Sequence, residues 1–354
     1  MVKMSNELVE DYYKSMSDFF EGKVRGVTEA DRGVLPRLSY SGLEVFKNCP
    51  YQFNLKYGEK KFTKETTLAL ELGSLCHLIL ELKCNYIKAG KHVDYDYLHF
   101  ILKYGSIDTN EKTKEHILGV DELKRKYFEE WYEPDNASGM TYEEKMEVFK
   151  KVLKEEMNHA SIWHPIYAEL PFEFVYKDRV IFNGFIDRID INIFGGFRTV
   201  DYKTSKKQFE SAKVVTSLQF GIYAMAIYQE FGQIPVSFLY RFILLDEDQI
   251  AMTSGWEKRL EKTLDNLLDK IDKCKKSGIW LPKPSPLCAW CSYSVTNPKA
   301  HEFKNDCEYY SLWTPENKVW AVNKRYNALD NAGKKSTIDT GNKTKLNGKR
   351  KLVF

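Results

Sequence analysis

The chain lacks several features that would have assigned it quickly. It has no run of eighteen apolar residues, which excludes an obvious membrane-spanning helix. Its first residues, Met1-Val2-Lys3-Met4-Ser5-Asn6-Glu7, are polar rather than a basic segment leading into an apolar stretch, so a soluble cytoplasmic protein is expected. It has no G-x-x-x-x-G-K-[ST] phosphate loop, which excludes a built-in nucleotide-driven motor of that type. No internal repeat is evident. The seven cysteines are an odd number without a secretory signal, so a disulfide framework is not expected. Charge of either sign is scarcely in excess, at a net +3, and does not by itself indicate a nucleic-acid partner.

What is present suits a packed globular protein: 354 residues, of which 43% are hydrophobic and 14% aromatic. The small net charge is unevenly placed. Residues 331–354 carry seven basic residues against Asp339 alone, a net +6, and leave the remaining chain at −3. With its Gly, Asn, Thr and Lys content this segment reads as a basic disordered tail, either simply solvated or adding salt-sensitive attraction to phosphates. Residues 1–35 read as an N-terminal extension with one short helix around Glu7–Phe20. Ser41-Gly42-Leu43-Glu44 reads as a capping box opening a short helix that stops at Pro50. Apolar residues at helical spacing predict a helix over Thr66–Lys88, with Gly73, His77 and Glu81 on one face. Residues 90–165 read as a helical insertion, and Phe172–Lys203 as a strand-rich block. A helix to Phe231, a strand over Val236–Leu245 and a helix over Trp256–Lys276 follow. This order predicts an α/β core with a mixed central sheet flanked by helices.

Within that pattern, Val180–Ile191 and Phe197–Lys203 read as two strands of a hairpin joined at Gly195-Gly196. Side chains two apart on a strand project together, about 7 Å apart at the backbone, so Asp201 and Lys203 share a face. Asp187 lies fourteen residues before Asp201. Carboxylates in segments patterned for burial are costly unless paired or metal-bound. Asp187 and Asp201 are therefore candidate oxygen ligands for Mg²⁺ or Mn²⁺, with Lys203 beside them to orient and deprotonate a water or to stabilise charge on phosphorus. Either aspartate alone would read as a strand-edge carboxylate facing solvent.

An Asp followed, after about a dozen residues, by Asp-x-Lys resembles the PD-(D/E)XK nuclease superfamily. Gly73-Ser74-Leu75-Cys76-His77 resembles the G-x-x-x-H motif of its RecB-like branch, and Gln219-Phe220-Gly221-Ile222-Tyr223 the Q-x-x-x-Y motif. Leu38-Ser39-Tyr40-Ser41 through Phe53 is similar to the start of RecB-like, AddB-like and CRISPR-associated exonucleases. The resemblance takes in roughly residues 36–291, and the nuclease domain is expected over 36–285. It implies a restriction-endonuclease-like core and a metal-dependent deoxyribonuclease acting as an exonuclease in recombination, repair or phage replication, in the cytoplasm of a bacterial or phage-infected cell. It also implies metal ligation by His77, Asp187, Asp201 and the main-chain carbonyl of Tyr202. Gln219 and Tyr223 would hold the substrate strand near the metal. Glu169 stands where relatives often have a glutamate, and the ordinary reading of it is a solvated loop residue. His77 on an apolar helix, read without the motif, would be a core histidine. Gly73 would let the backbone approach the site. The expected partners are DNA, as single strands or duplex ends, and a helicase or other recombination protein. The alternative is a catalytically inactive or partner-dependent DNA-binding component of a helicase–nuclease complex.

Cys49 and the Cys288-Ala289-Trp290-Cys291 pair resemble the split four-cysteine frame of the AddB-like nucleases, which holds one [4Fe–4S] cluster. In relatives the fourth ligand follows about five residues after the C-x-x-C pair. Here that place is Asn297, and the next cysteine, Cys307, lies beyond a fifteen-residue spacer in the cysteine-containing segment 286–330. Cys49, Cys288, Cys291 and Cys307 are the expected ligand set, with zinc as the alternative metal and His301 as the alternative ligand.

Overall fold

A computed structural model of the chain describes residues 18–63, 68–90, 162–205, 207–210, 217–252, 257–297, 302–307, 311–314 and 319–322, with positions 107–108, 116–117, 151–152, 154 and 214. The expected basic tail, most of the expected insertion, His301 and the helix before Asp18 lie outside the described residues. Of the segment 90–165, Ile107–Asp108 and His116–Ile117 pair as antiparallel strands, and Lys151 and Val152 are helical. The chain forms two compact units, Met1–Glu44 with Thr66–Lys273 and Val45–Glu65 with Cys274–Phe354.

The first unit is built on a mixed sheet of seven strands flanked by helices. Its strands are β1 (Val24–Arg25), β2 (Arg37–Leu38), β3 (Trp163–Tyr176), β4 (Val180–Asn192), β5 (Phe197–Lys203), β6 (Ser237–Phe242) and β7 (Glu247–Met252). The order is β1-β3-β4-β5-β6-β7, and β2 pairs with β4. The β3–β4–β5 meander is antiparallel, whereas β5 and β6 are parallel and joined by a crossover helix. β5 begins and ends where its pattern predicts. β3 begins nine residues before the expected Phe172 block, because Pro165 and Pro171 disguise it. Pro165 sits at a register shift against β4, the kind of irregularity at which a sheet tolerates proline.

The helices of this unit include α1 (Glu29–Val34), α2 (Tyr40–Asn48), α4 (Leu68–Lys88), α5 (Leu218–Phe231) and α6 (Glu257–Ser277), α2 and α6 each running on into the second unit. A short helix, α3 (Pro50–Phe53), belongs to the second unit. The α2 start corrects the expected capping box: Ser39, not Ser41, accepts the hydrogen bond from the Gly42 N–H, at 3.1 Å. The crossover helix α5 is capped by Ser217 and closed by Gly232 in the left-handed region at φ 67°. It is buried on nearly all sides from Leu218 to Ile227, as a helix set between sheet and neighbours must be. One neighbour is α6, whose apolar face is Leu260, Leu264, Leu267, Leu268 and Ile271. Gly221 permits their approach, since a Cβ there would lie 2.3 Å from Leu260 Cδ1.

The second unit has its own aromatic packing. Phe53 stacks on Trp280 at 5.8 Å and meets Phe46 edge-on at 5.5 Å. Leu55, Tyr293 and Cys307 form a buried cluster, and the Tyr293 hydroxyl donates to the Lys61 carbonyl at 2.6 Å.

Candidate functional site

The β3–β4 register sets the first pair of acidic groups. Ala168 pairs with Arg188 and Leu170 with Ile186, so Glu169 and Asp187 occupy opposed positions on neighbouring strands. Glu169 has a positive φ of 46°, a strained conformation for a non-glycine residue inside a strand. From α4, His77 Nδ1 reaches both carboxylates, at 3.4 Å from Glu169 Oε1 and 3.5 Å from Asp187 Oδ2. Ligand atoms of the three residues all lie within 4.8 Å of one another. Glu169 thus joins the site, which a weak sequence match alone did not establish.

β5 brings the second group. Asp201 is 1% exposed. Its Oδ1 accepts hydrogen bonds from Gln219 Nε2 at 2.7 Å and from the Tyr223 hydroxyl at 3.5 Å. Its Oδ2 lies against the Lys203 ammonium as an ion pair but accepts no directional hydrogen bond. The Tyr202 N–H, between these two residues, donates to Asp187 Oδ2 at 2.9 Å. Gln219 and Tyr223 are one turn apart on α5, and Gln219 also donates to the Tyr223 hydroxyl at 3.0 Å. Tyr240 of β6 extends the chain of bonds, donating to Gln219 Oε1 at 3.4 Å and lying 3.1 Å from the Ser217 hydroxyl.

Crowding of like charge governs the electrostatics. Burial and then the Asp201 charge push the Asp187 carboxyl up to about 7, against the opposing pull of His77, the Tyr202 N–H and Lys203. Burial would lower the His77 imidazole, but the Glu169 hydrogen bond and the charges of Asp187, Glu169 and Asp201 prevail and push it up to about 9. Burial, followed by Asp201 and Asp187, raises the Tyr223 hydroxyl. Burial and Glu169 raise Glu81, one turn beyond His77. Such a set gains from a divalent cation, which relieves carboxylate repulsion and satisfies the buried Asp201 Oδ2.

Gly73 does not act as a close-approach glycine. A Cβ there would meet only Thr204 Oγ1, at an ordinary 3.9 Å. The Tyr40 hydroxyl, raised by burial and by the charges of Glu44 and Asp201, and the Tyr240 hydroxyl, raised by burial and by charges that include Asp201 and Glu44, also belong to this environment. Neither had a motif to mark it.

In the second unit, Cys49, Cys288, Cys291 and Cys307 line one cavity. Backbone N–H groups point at their sulfurs: Lys283 donates to Cys49 Sγ and Ser285 to Cys288 Sγ, each at 3.4 Å. Cys291 is pushed up to about 11 by burial, against backbone hydrogen bonds at Tyr293 and Ser294, with Cys49 and Cys288 adding to the rise. Cys307 returns to the others through a bridge to Ser294 and an N–H bond to the Tyr293 carbonyl at 2.9 Å. Among the described residues, no three of these sulfurs lie within 4.8 Å of one another. Thiolates around one tetrahedral zinc stand about 3.8 Å apart at a Zn–S distance of about 2.3 Å. Cys76 and Cys84 are buried elsewhere, and burial pushes their thiols up to about 12 and about 11.

The chain matches the PD-(D/E)XK nuclease superfamily over residues 37–296 and belongs to it. The RecB/AddB-like branch agrees with a curated relative, an ATP-dependent helicase/deoxyribonuclease component of AddB type from Clostridium botulinum (strain Loch Maree / Type A3). The two are 26% identical over 322 residues, an alignment covering 80% of this chain and 25% of the relative. The chain thus spans about a quarter of that relative's length. Among the described residues, no helix is long and apolar enough to cross a membrane.

Proposed function

We propose that this chain is a metal-dependent deoxyribonuclease that hydrolyses DNA phosphodiesters as an exonuclease in recombination, repair or phage replication. The observation that carries the reading is the convergence of His77, Glu169 and Asp187 beside the buried Asp201–Lys203 pair. These four ligand side chains and the Tyr202 main-chain carbonyl would hold Mg²⁺ or Mn²⁺, the imidazole favouring Mn²⁺. A bound cation supplies Lewis-acid charge and makes water acidic enough to act as hydroxide near neutral pH. Lys203 orients the attacking water and offsets negative charge developing on the phosphate. Gln219 and Tyr223 act as positioning residues for Asp201, the group that they touch, rather than as direct contacts to the DNA strand. The RecB-like motif pair favours an exonuclease over a site-specific endonuclease.

The same proposal assigns a [4Fe–4S] cluster to Cys49, Cys288, Cys291 and Cys307. The wide sulfur spacing favours a cluster over a single zinc ion, and the N–H groups aimed at sulfur suit thiolate ligands. A second reading, a partner-dependent or inactive DNA-binding component of a helicase–nuclease assembly, is favoured by the name and length of the relative. Cleavage of end-labelled single-stranded and duplex DNA by the purified chain, with Mg²⁺, Mn²⁺ or EDTA, decides between them. Metal-dependent cleavage without a partner supports the first reading, and DNA binding without cleavage supports the second.

A further inference from the structure

The far side of the metal-binding strands carries a cluster of buried charge with no part in the chemistry proposed so far. Asp190 is fully buried, and Arg188 and Tyr202 are each 3% exposed. The Arg188 guanidinium grips Asp190 with two bonds, Nε to Oδ1 at 2.5 Å and Nη2 to Oδ2 at 2.9 Å. Its remaining arm, Nη1, donates to the Tyr202 hydroxyl at 2.9 Å. A second guanidinium, Arg198, bonds Asp190 Oδ2 at 2.6 Å and lies over the Trp163 ring at 4.5 Å.

Stability alone is a poor reason for such a cluster. Buried ion pairs recover their desolvation cost incompletely, and apolar side chains of similar volume often serve as well. Geometry supplies a better reason. The β4–β5 ladder ends at Arg188↔Val200, one residue short of Asp187 and Asp201. Beyond that point, Tyr202 links the strands twice. Its N–H holds Asp187 of β4, while its hydroxyl is held by Arg188 of the same strand. Tyr202 also lies between Asp201 and Lys203, so its ring position bears on both.

We infer that Arg188, fixed by Asp190, is a positioning residue: by holding the Tyr202 hydroxyl it sets the separation and orientation of Asp187, Asp201 and Lys203 where the backbone ladder no longer does so. This rests on the metal-dependent reading given above. A lysine could not replace the fork, since a single ammonium cannot serve Asp190 bidentately and Tyr202 together. Misplacing reacting groups by about 1 Å can cost on the order of 100-fold in rate.

The test compares wild type, Tyr202→Phe and Arg188→Lys by Mn²⁺ titration calorimetry, thermal melting in EDTA and DNA cleavage. Tyr202→Phe keeps the ring and backbone and removes only the hydroxyl, so it decides the matter even if Arg188→Lys folds poorly. The expected result is an Mn²⁺ affinity lowered about 10-fold or more and cleavage reduced by about 10- to 100-fold, with a melting temperature within a few degrees of wild type. If wild type binds Mn²⁺ and Tyr202→Phe binds it equally well and cleaves at the same rate, the positioning role is overturned and the nuclease reading stands. If wild type itself binds no Mn²⁺, the functional reading falls and takes this inference with it.

Discussion

Gln219 Nε2 donates to Asp201 Oδ1 at 2.7 Å, joining the crossover helix to the strand that carries the Asp-x-Lys residues. The motif glutamine is therefore tied to the acid group through a direct bond. The other oxygen of Asp201 faces Lys203 without a directional hydrogen bond. One side of the carboxylate is anchored, and the other remains available to a ligand.

Gln219→Ala should leave Asp201 Oδ1 with only the long bond from Tyr223. Loss of a hydrogen bond to a charged group costs about 1.5–3 kcal/mol. A fall in activity of about 10-fold is expected from the freed carboxylate, with a higher Mn²⁺ requirement. Cleavage rates measured across an Mn²⁺ titration check this, and an unchanged metal requirement would separate Gln219 from Asp201.

Asp187→Asn should change stability in a pH-dependent direction when metal is removed by EDTA. Asp187 is held up to about 7 by burial and the Asp201 charge, above its ordinary carboxylate value of 3.8. Below the unfolded value, the carboxyl is protonated in both folded and unfolded chains and nothing is lost. As pH rises from the unfolded value through about 7, the unfolded chain releases this proton first and the wild type loses stability. The asparagine variant does not. Denaturant melts at pH 4 and pH 8 should show it gaining on wild type at the higher pH, while losing Mn²⁺ binding at both.

Protein purified without oxygen should be brown and contain about four irons per chain, because Cys49, Cys288, Cys291 and Cys307 line one cavity. Cys49→Ser should remove the iron and lower the melting temperature, since Cys49 comes from the 45–65 segment and the other three ligands from beyond residue 274. Metal analysis and visible absorbance check this. Colourless protein with one zinc would replace the cluster, and protein with neither metal would return these thiols to ordinary packing.

Much of the architecture was readable because local pattern and tertiary role agree. Phe197–Lys203 alternates as a strand and is one, and Ser217 and Gly232 bracket the crossover helix with ordinary capping chemistry. The beginning of β3 was hidden by two prolines, which local reasoning counts against a strand. Glu169 was hidden for a different reason. Its partner across the sheet is fixed by the β3–β4 register, and that register depends on the shift near Pro165. The Arg188–Asp190–Arg198 cluster was illegible because residues two apart on a strand reveal a shared face but not what covers it. Gly221 passed as an unmarked position inside Q-x-x-x-Y, although Leu260 requires it to lack a side chain.

The central claim is that Asp201 and its neighbours cut DNA. The most direct measurement is cleavage of end-labelled single-stranded DNA by wild type and Asp201→Asn in Mn²⁺, with DNA binding followed in parallel. Asparagine keeps the volume and a hydrogen-bond acceptor for Gln219 while removing the charge that faces Lys203. The account predicts cleavage lowered by at least about 100-fold with DNA affinity retained. Cleavage by Asp201→Asn at the wild-type rate would contradict it.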